Sequence, residues 1–263
     1  MSTPSRGRAT ANAVAPGMPS NPPRGDLRAL YALSQNSPHV FASPLGPFLL
    51  GRRAAYLPRF VFFGPHACDD SWRLALLAGF DHRDTRASRA LVALATRLAA
   101  DSETGHGLNL TFFPLVDVAG APGRDLGSAH WGRQAAPEIG LLGQDARVRG
   151  YHGFVRIETG AADDAFIGLR VRGPFAGVLR PNLELVGPGE SRSIPIRFEA
   201  APEGDAPVDG PLSIADDLML RPFELTFRMP AAWPDETYQH AAVTLLERFL
   251  RRYRAFQAYG QNL

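Results

Sequence analysis

The chain predicts an α/β fold, a single domain with a mixed, mostly parallel central sheet flanked by helices. Three observations predict it. Strand-like and helix-like segments alternate along most of the chain. Two of the strand-like segments, Arg59–Phe63 and Leu108–Leu115, are apolar runs of the kind that strands buried on both faces show. Neither a linker nor an internal repeat divides residues 26–263, and 263 residues suffice for one large domain.

The elements follow in order. Residues 1–25 are rich in Pro, Ser, Gly and Ala and nearly lack large apolar groups, so a disordered tail is expected there. That stretch has no continuous apolar segment with a cleavage site and does not look like a secretory signal. Asp26 can cap a helix that runs through Leu33. The buried strand from Arg59 is bounded by Pro58 and Gly64. Asp69–Phe80 and Thr85–Ala100 carry helical spacing, the second with Leu91, Leu94, Ala95 and Leu98 on one stripe. After the strand at Leu108 come a Gly-rich loop, Gly120–Gln134, and a helix, Pro137–Val148, with Pro in its first turn. Further strands are expected at Gly153–Glu158, Ala165–Val171, Arg192–Ala200 and Pro222–Arg228, with an acidic Pro/Gly loop at 201–213. Asp235–Tyr259 closes the chain as a long helix. Val243, Leu246, Leu250, Tyr253 and Phe256 line one side of it, and Arg248, Arg251, Arg252 and Arg254 read as a solvated face.

Composition excludes several chemistries. All 28 basic residues are arginine, so a Schiff-base amine and a phosphate-loop lysine are both ruled out. A single cysteine, Cys68, rules out a disulfide framework and any C-x-x-C site, and it favours a reducing compartment, so a cytoplasmic location is expected. A net charge of +2 gives no nucleic-acid footprint, and no apolar run approaches the ~18–20 residues of a membrane span. G-x-S-x-G, H-E-x-x-H and G-x-G-x-x-G motifs are absent.

Sites in α/β sheets gather at the carboxyl ends of strands. After Phe63 comes His66-x-x-Asp69, an imidazole and a carboxylate that can converge on one metal ion, although on the spacing alone Asp69 or Asp70 reads first as a helix cap. The strand from Gly153 ends in Glu158, and the strand from Pro222 ends in Arg228. Glu224 lies four residues before Arg228 on the same strand face, a weak substitute base. Cys68, His106, His130 and His152 read as ordinary core, loop or surface residues.

In this setting the run PRFVFFGPHACDDSWRLALLAGF resembles the signature of the zinc carboxypeptidase family, the carboxypeptidase A-like metallopeptidases. In that family a buried strand runs into a G-x-H-x-x-E turn that gives two zinc ligands. LNLTFFPLVDVAGAPGRDLGSAHWG looks like the family's next strand and substrate-binding loop. GYHGFVRIETGAADDAFIG looks like the strand of the third ligand. FELTFRMPAAWPDETYQHAAVTLL looks like the strand of the general base, T-x-E-x-P, and the final helix. The resemblance spans roughly residues 45–255 and extends to the branch of succinylglutamate desuccinylases and aspartoacylases.

The resemblance implies a site with most of its parts replaced. His66 and Asp69 fall on the first two ligand positions, and Glu158 on that of the third-ligand histidine. Gly127 and Ser128 fall on the Asn-Arg pair that clamps a terminal carboxylate, with Arg124 upstream at the wrong spacing. Arg228 falls on the glutamate that activates water. Arginine stays protonated and cannot take that proton. The expectation is a metallocarboxypeptidase-like protein without catalysis, binding a small molecule or peptide and needing no cofactor, with neither nucleic acid nor membrane as partner. The alternative is an active zinc-dependent carboxypeptidase or amide-bond deacylase with a rearranged site of His66, Asp69 and Glu158.

Overall fold

The computed structural model describes residues 25–68, 71–120, 126, 136–161, 165–172, 185–186, 193–194, 196–198 and 222–260. The expected tail, except Gly25, and the loop at 201–213 lie outside them.

The chain opens with α1 (Gly25–Asn36), which puts Leu27 and Leu30 into the core. Strand β1 (Val40–Ala42), a hairpin of β2 (Leu45–Leu50) and β3 (Arg53–Leu57), and β4 (Phe60–Phe63) follow. Strand β5 (Trp72–Leu77) leads into α2 (Thr85–Ala100), and β6 (Leu108–Phe113) leads towards α3 (Pro137–Arg149). Then come β7 (Gly153–Thr159), β8 (Ile167–Arg172), the short strands β9 (Leu185–Val186), β10 (Ser193–Ile194) and β11 (Ile196–Phe198), β12 (Phe223–Met229) and α4 (Asp235–Gly260). Helix α2 starts where the side chain of Asp84 accepts from the backbone N–H of Arg86. Helix α3 has Pro137 at its start and ends at Gly150, whose φ of 57° is the left-handed cap that glycine adopts without strain.

Eight strands form one sheet in the order β1-β4-β6-β5-β7-β12-β8-β11. Strands β6, β5, β7 and β12 are mutually parallel, whereas β4 runs antiparallel to β6 and β8 antiparallel to β12. Period-two alternation splits the side chains between two cores. Leu74, Leu76, Val155, Ile157, Leu225 and Phe227 join the cluster that contains residues of α1, α2 and α4. Ala75, Leu77, Phe113 and Phe154 join the cluster of α3 and the β2–β3 hairpin. Among the described residues no helix is long and apolar enough to cross a membrane.

One expected element changes type. The helix expected over Asp69–Phe80 is strand β5 in its described part. Leu74–Leu77 is buried on both faces, and a run with no polar positions has no period to read. The change matters because β5, between β6 and β7, is central. The segment expected at Arg192–Ala200 is divided into β10 and β11, and the hairpin β2–β3 was not expected.

A buried ionic knot ties the strand side to α3. Arg59, just before β4, pairs with Asp145 of α3, and its Nε donates to Ser43 O at 2.7 Å. The Tyr151 hydroxyl donates to Asp145 Oδ2 at 2.6 Å. Burial, then the Asp145 charge, hold the Tyr151 phenol well above its usual range. Asp145→Ala leaves a buried guanidinium without its counter-charge and is expected to cost roughly 3–5 kcal/mol. Tyr151→Phe should cost about 1 kcal/mol. Urea denaturation of the two variants measures both.

His152 links β5 to β7. Its Nδ1 accepts from the backbone N–H of Arg73 at 3.0 Å, which requires that nitrogen to be unprotonated. Burial, then the Arg73 charge, hold its pKa below the ordinary 6.5. The unfolded chain therefore takes up the proton at higher pH than the folded one. Stability should be complete above pH 6.5 and fall as the pH drops from there through the lowered folded value. Urea midpoints at about pH 7.5 and about pH 5.5 check this, and His152→Gln should shrink the difference between them.

Candidate functional site

The parallel strands β5, β6, β7 and β12 end on one rim of the sheet. A cleft of about 880 Å³ opens there, lined by the turn after β5, the first turns of α2, the end of β7 and Asp235.

Parallel register sets Arg228 of β12 directly opposite Glu158 of β7. Arg228 Nε donates to Glu158 Oε1 at 3.3 Å. Arg156, two residues before Glu158 and on the same face of β7, reaches Oε2 with NH2 at 2.8 Å. The Arg156 side chain is 9% exposed, and its guanidinium lies 4.0 Å from the centre of the Phe80 ring. The structure thus joins Glu158 and Arg228, the residues expected at the third-ligand and general-base positions, to each other.

His66 is not brought to this rim. Strand β4 runs against β6, so the turn after it lies at the amino ends of the parallel strands. There Gly64 N donates to Leu108 O at 2.9 Å and Gly107 N to Pro65 O at 2.8 Å, and the His66 ring sits 4.8 Å from that of His106. Glu158 is at the other end of the sheet, roughly 20 Å of strand away. His66 and Glu158 therefore cannot share one ion, which corrects the expected grouping. Glu224, the second residue of β12, lies opposite Phe154, four residues from Arg228, and is likewise away from the rim. Asp69, Arg124, Gly127 and Ser128 lie outside the described residues.

The turn that does reach the cleft was missed in the sequence. It reads Gly79-Phe80-Asp81-His82-Arg83-Asp84, directly after β5. Gly79 has φ +68°, and a Cβ there would lie 2.9 Å from Leu115 Cα and Pro114 O, so glycine is required. Its spacing, Gly79-x-Asp81-x-x-Asp84, is that of the G-x-H-x-x-E pattern, with aspartates at the last two positions. The glycine and the spacing were the available signal. They were hidden inside a segment read as helix, while Gly64-Pro65-His66 offered an actual histidine.

Asp81 and Asp84 line the same cleft as Glu158. Asp81 Oδ1 accepts from the backbone N–H of Arg83 at 2.9 Å and from its Nε at 3.2 Å. The backbone bond, chiefly, holds Asp81 below the usual carboxylate range. Asp84 Oδ1 accepts from Arg86 N at 3.2 Å, with Arg86 Nε 3.9 Å away. The Arg86 guanidinium lies 4.9 Å from the centre of the Tyr238 ring and donates to Ala231 O at 2.9 Å. Tyr238 OH and Thr159 Oγ1 are 3.1 Å apart, and burial raises the Tyr238 phenol above its ordinary range. His82 turns to Asp117, a fully buried carboxylate whose Oδ2 is 3.1 Å from His82 Nδ1. Asp117 also accepts from the backbone N–H groups of His82 at 3.2 Å and Gly120 at 3.0 Å.

No protein-family model matches the chain, and neither does any curated protein. Solved structures do. A metallo-carboxypeptidase from Burkholderia cenocepacia aligns over 88% of this chain and 68% of its own, at 15% identity and a TM-score of 0.60. A metallo-carboxypeptidase from Pseudomonas aeruginosa, in complex with (2-guanidinoethylmercapto)succinic acid, aligns over 85% and 67%, at 16% identity and a TM-score of 0.53. An aspartoacylase family protein from Mesorhizobium loti aligns over 82% and 68%, at 13% identity and a TM-score of 0.51. At these identities the likeness establishes the fold, and the fold is zinc carboxypeptidase-like.

Such a fold implies a metal, so the donor set needs testing against one. A zinc site needs at least three donors converging on one point. Among the described residues the cleft offers Asp81, Asp84, Glu158 and Asp235, all carboxylates and each within 4 Å of a guanidinium. Among the described residues no three His, Cys, Asp or Glu side chains are grouped so as to hold a metal ion. This set does not fit a zinc ion.

Asp117→Ala should leave buried N–H groups without an acceptor and cost roughly 2–3 kcal/mol. Asp117→Asn, which keeps an acceptor oxygen, should cost less. Chemical denaturation measures the difference.

Proposed function

We propose that this chain is a carboxypeptidase-like protein without peptidase activity, which binds a small molecule or peptide in the cleft at the carboxyl rim of its sheet. The observation that carries the reading is the 3.3 Å contact between Arg228 Nε and Glu158 Oε1. On the sequence resemblance Arg228 falls on the position of the water-activating glutamate, and a guanidinium cannot accept a proton at any working pH. A lost general base is typically worth ~10²–10⁴-fold in rate. Gly127 and Ser128, at the clamp positions, carry no guanidinium for a terminal carboxylate. The single cysteine suits a cytoplasmic setting. A hydrolase built on His66, Asp69 and Glu158 is not proposed, because the sheet separates His66 from Glu158.

A second reading, an amide hydrolase with a relocated base, rests on His82. A buried carboxylate on Nδ1 fixes the ring and its tautomer, as in catalytic Asp–His pairs. Blocked dipeptides and N-acyl amino acids, assayed with and without added zinc, decide between the readings. No turnover above background is expected. Turnover that survives a chelator and is lost in His82→Ala would favour the relocated base. Turnover abolished by a chelator would overturn both readings.

A further inference from the structure

We propose that arginines have replaced the metal ion as the fixed cations of the cleft, making it a metal-independent ionic lattice. The inference rests on the cleft assigned above. Each carboxylate at a ligand position has an arginine two residues away in the chain: Arg83 for Asp81, Arg86 for Asp84 and Arg156 for Glu158. Glu158 receives a second one, Arg228, from the neighbouring strand. On β7 the i, i+2 spacing and on β7–β12 the register make these contacts consequences of the backbone.

The lattice answers the charge that a metal would otherwise answer. Among the described residues these three carboxylates meet four guanidiniums, Arg83 largely exposed and Arg156 nearly enclosed, so the positive charge there already matches the negative. The rim pair Arg89–Asp235, 3.4 Å apart, is balanced in the same way. Both oxygens of Glu158 are engaged, Oε2 at 2.8 Å by Arg156 and Oε1 at 3.3 Å by Arg228. Arg156 cannot swing aside without leaving the Phe80 ring at 4.0 Å and the site where it is nearly enclosed. An incoming ion would have to displace two guanidiniums and then sit beside them, against like charge.

Two kinds of measurement test this. Wild-type protein dialysed against excess zinc should retain well under one zinc per chain by elemental analysis. Its melting temperature should be the same with zinc and with a chelator. Arg228→Glu removes one cation and adds a donor, and it should bind zinc roughly tenfold or more tightly than wild type, with a melting temperature that zinc raises. If Arg228→Glu does not fold, Arg228→Gln, which removes the charge without adding one, should still gain zinc affinity. Stoichiometric, chelator-removable zinc in wild type would overturn the proposal, and so would folded variants that gain no affinity. The two proposals fail separately. Zinc in wild type without turnover would sink the lattice and leave the non-catalytic reading, whereas turnover by zinc-free protein would do the reverse.

Discussion

Parallel pairing of β12 with β7 sets Arg228 across from Glu158, and the character of the cleft depends on that juxtaposition. Strand register leaves little freedom here. Seven consecutive residue pairs, from Phe223↔Gly153 to Met229↔Thr159, fix which side chains share a row. Phe223, Leu225 and Phe227 are committed to the helix-covered core, so Glu224, Thr226 and Arg228 must face the other way. A one-residue slip would bury Arg228 in that core and expose Phe227. The same hydrophobic pattern that folds the sheet therefore also holds a guanidinium against Glu158.

The parts of the site that were legible in the sequence are those on strands with a readable period. Val155 and Ile157 alternate with Arg156 and Glu158, and Leu225 and Phe227 with Thr226 and Arg228, so both rim residues could be placed from residue order alone. Strand β5 had no such alternation, since Leu74, Ala75, Leu76 and Leu77 are all apolar and all buried. With β5 expected as helix, the turn that follows it and lines the cleft was not among the candidates. The chain pattern of β4, Phe-Val-Phe-Phe before a Gly-Pro-His turn, looks as central as that of β5. What separates them is direction: β4 is antiparallel to β6, and direction is a property of the assembled sheet that local residues do not encode. The hairpin β2–β3 escaped notice for a different reason. Its residues are largely exposed or half-buried, so burial imposes no strong pattern on them.

The absence of lysine, unremarkable as composition, has structural consequences at the cleft. A guanidinium can bind a carboxylate and lie flat on an aromatic ring at once, and a lysine ammonium cannot match that geometry. Arg156 does both with Glu158 and Phe80, and Arg86 spans Asp84, the Tyr238 ring and the carbonyl of Ala231. Through Arg86 the start of α2 is tied to the segment that leads into α4. The cation in the cleft is thus a structural tie as well as a charge. Arg59 plays a comparable part beside α3, where it joins Ser43 to Asp145 and through it to Tyr151.

Buried ion pairs contribute little net stability, because desolvation offsets most of the attraction. Breaking one is costly, however, since it strands the remaining charge. This asymmetry bears on Glu158. With Arg156 and Arg228 in place, its carboxylate is matched. Without them it needs another cation, which in a cleft of carboxylates would be a metal ion. Intermediate states, with one guanidinium gone and no ion bound, are the unfavourable ones. On the lattice proposed above, the charge of Glu158 is balanced by fixed side chains in place of a mobile ion. Fixed side chains do not leave with a chelator, but guanidiniums offer no coordination position at which a bound water's pKa is lowered, as an exchangeable metal does. On the non-catalytic reading proposed above, the arrangement that makes the site self-sufficient is also the one that withholds a metal's hydrolytic chemistry.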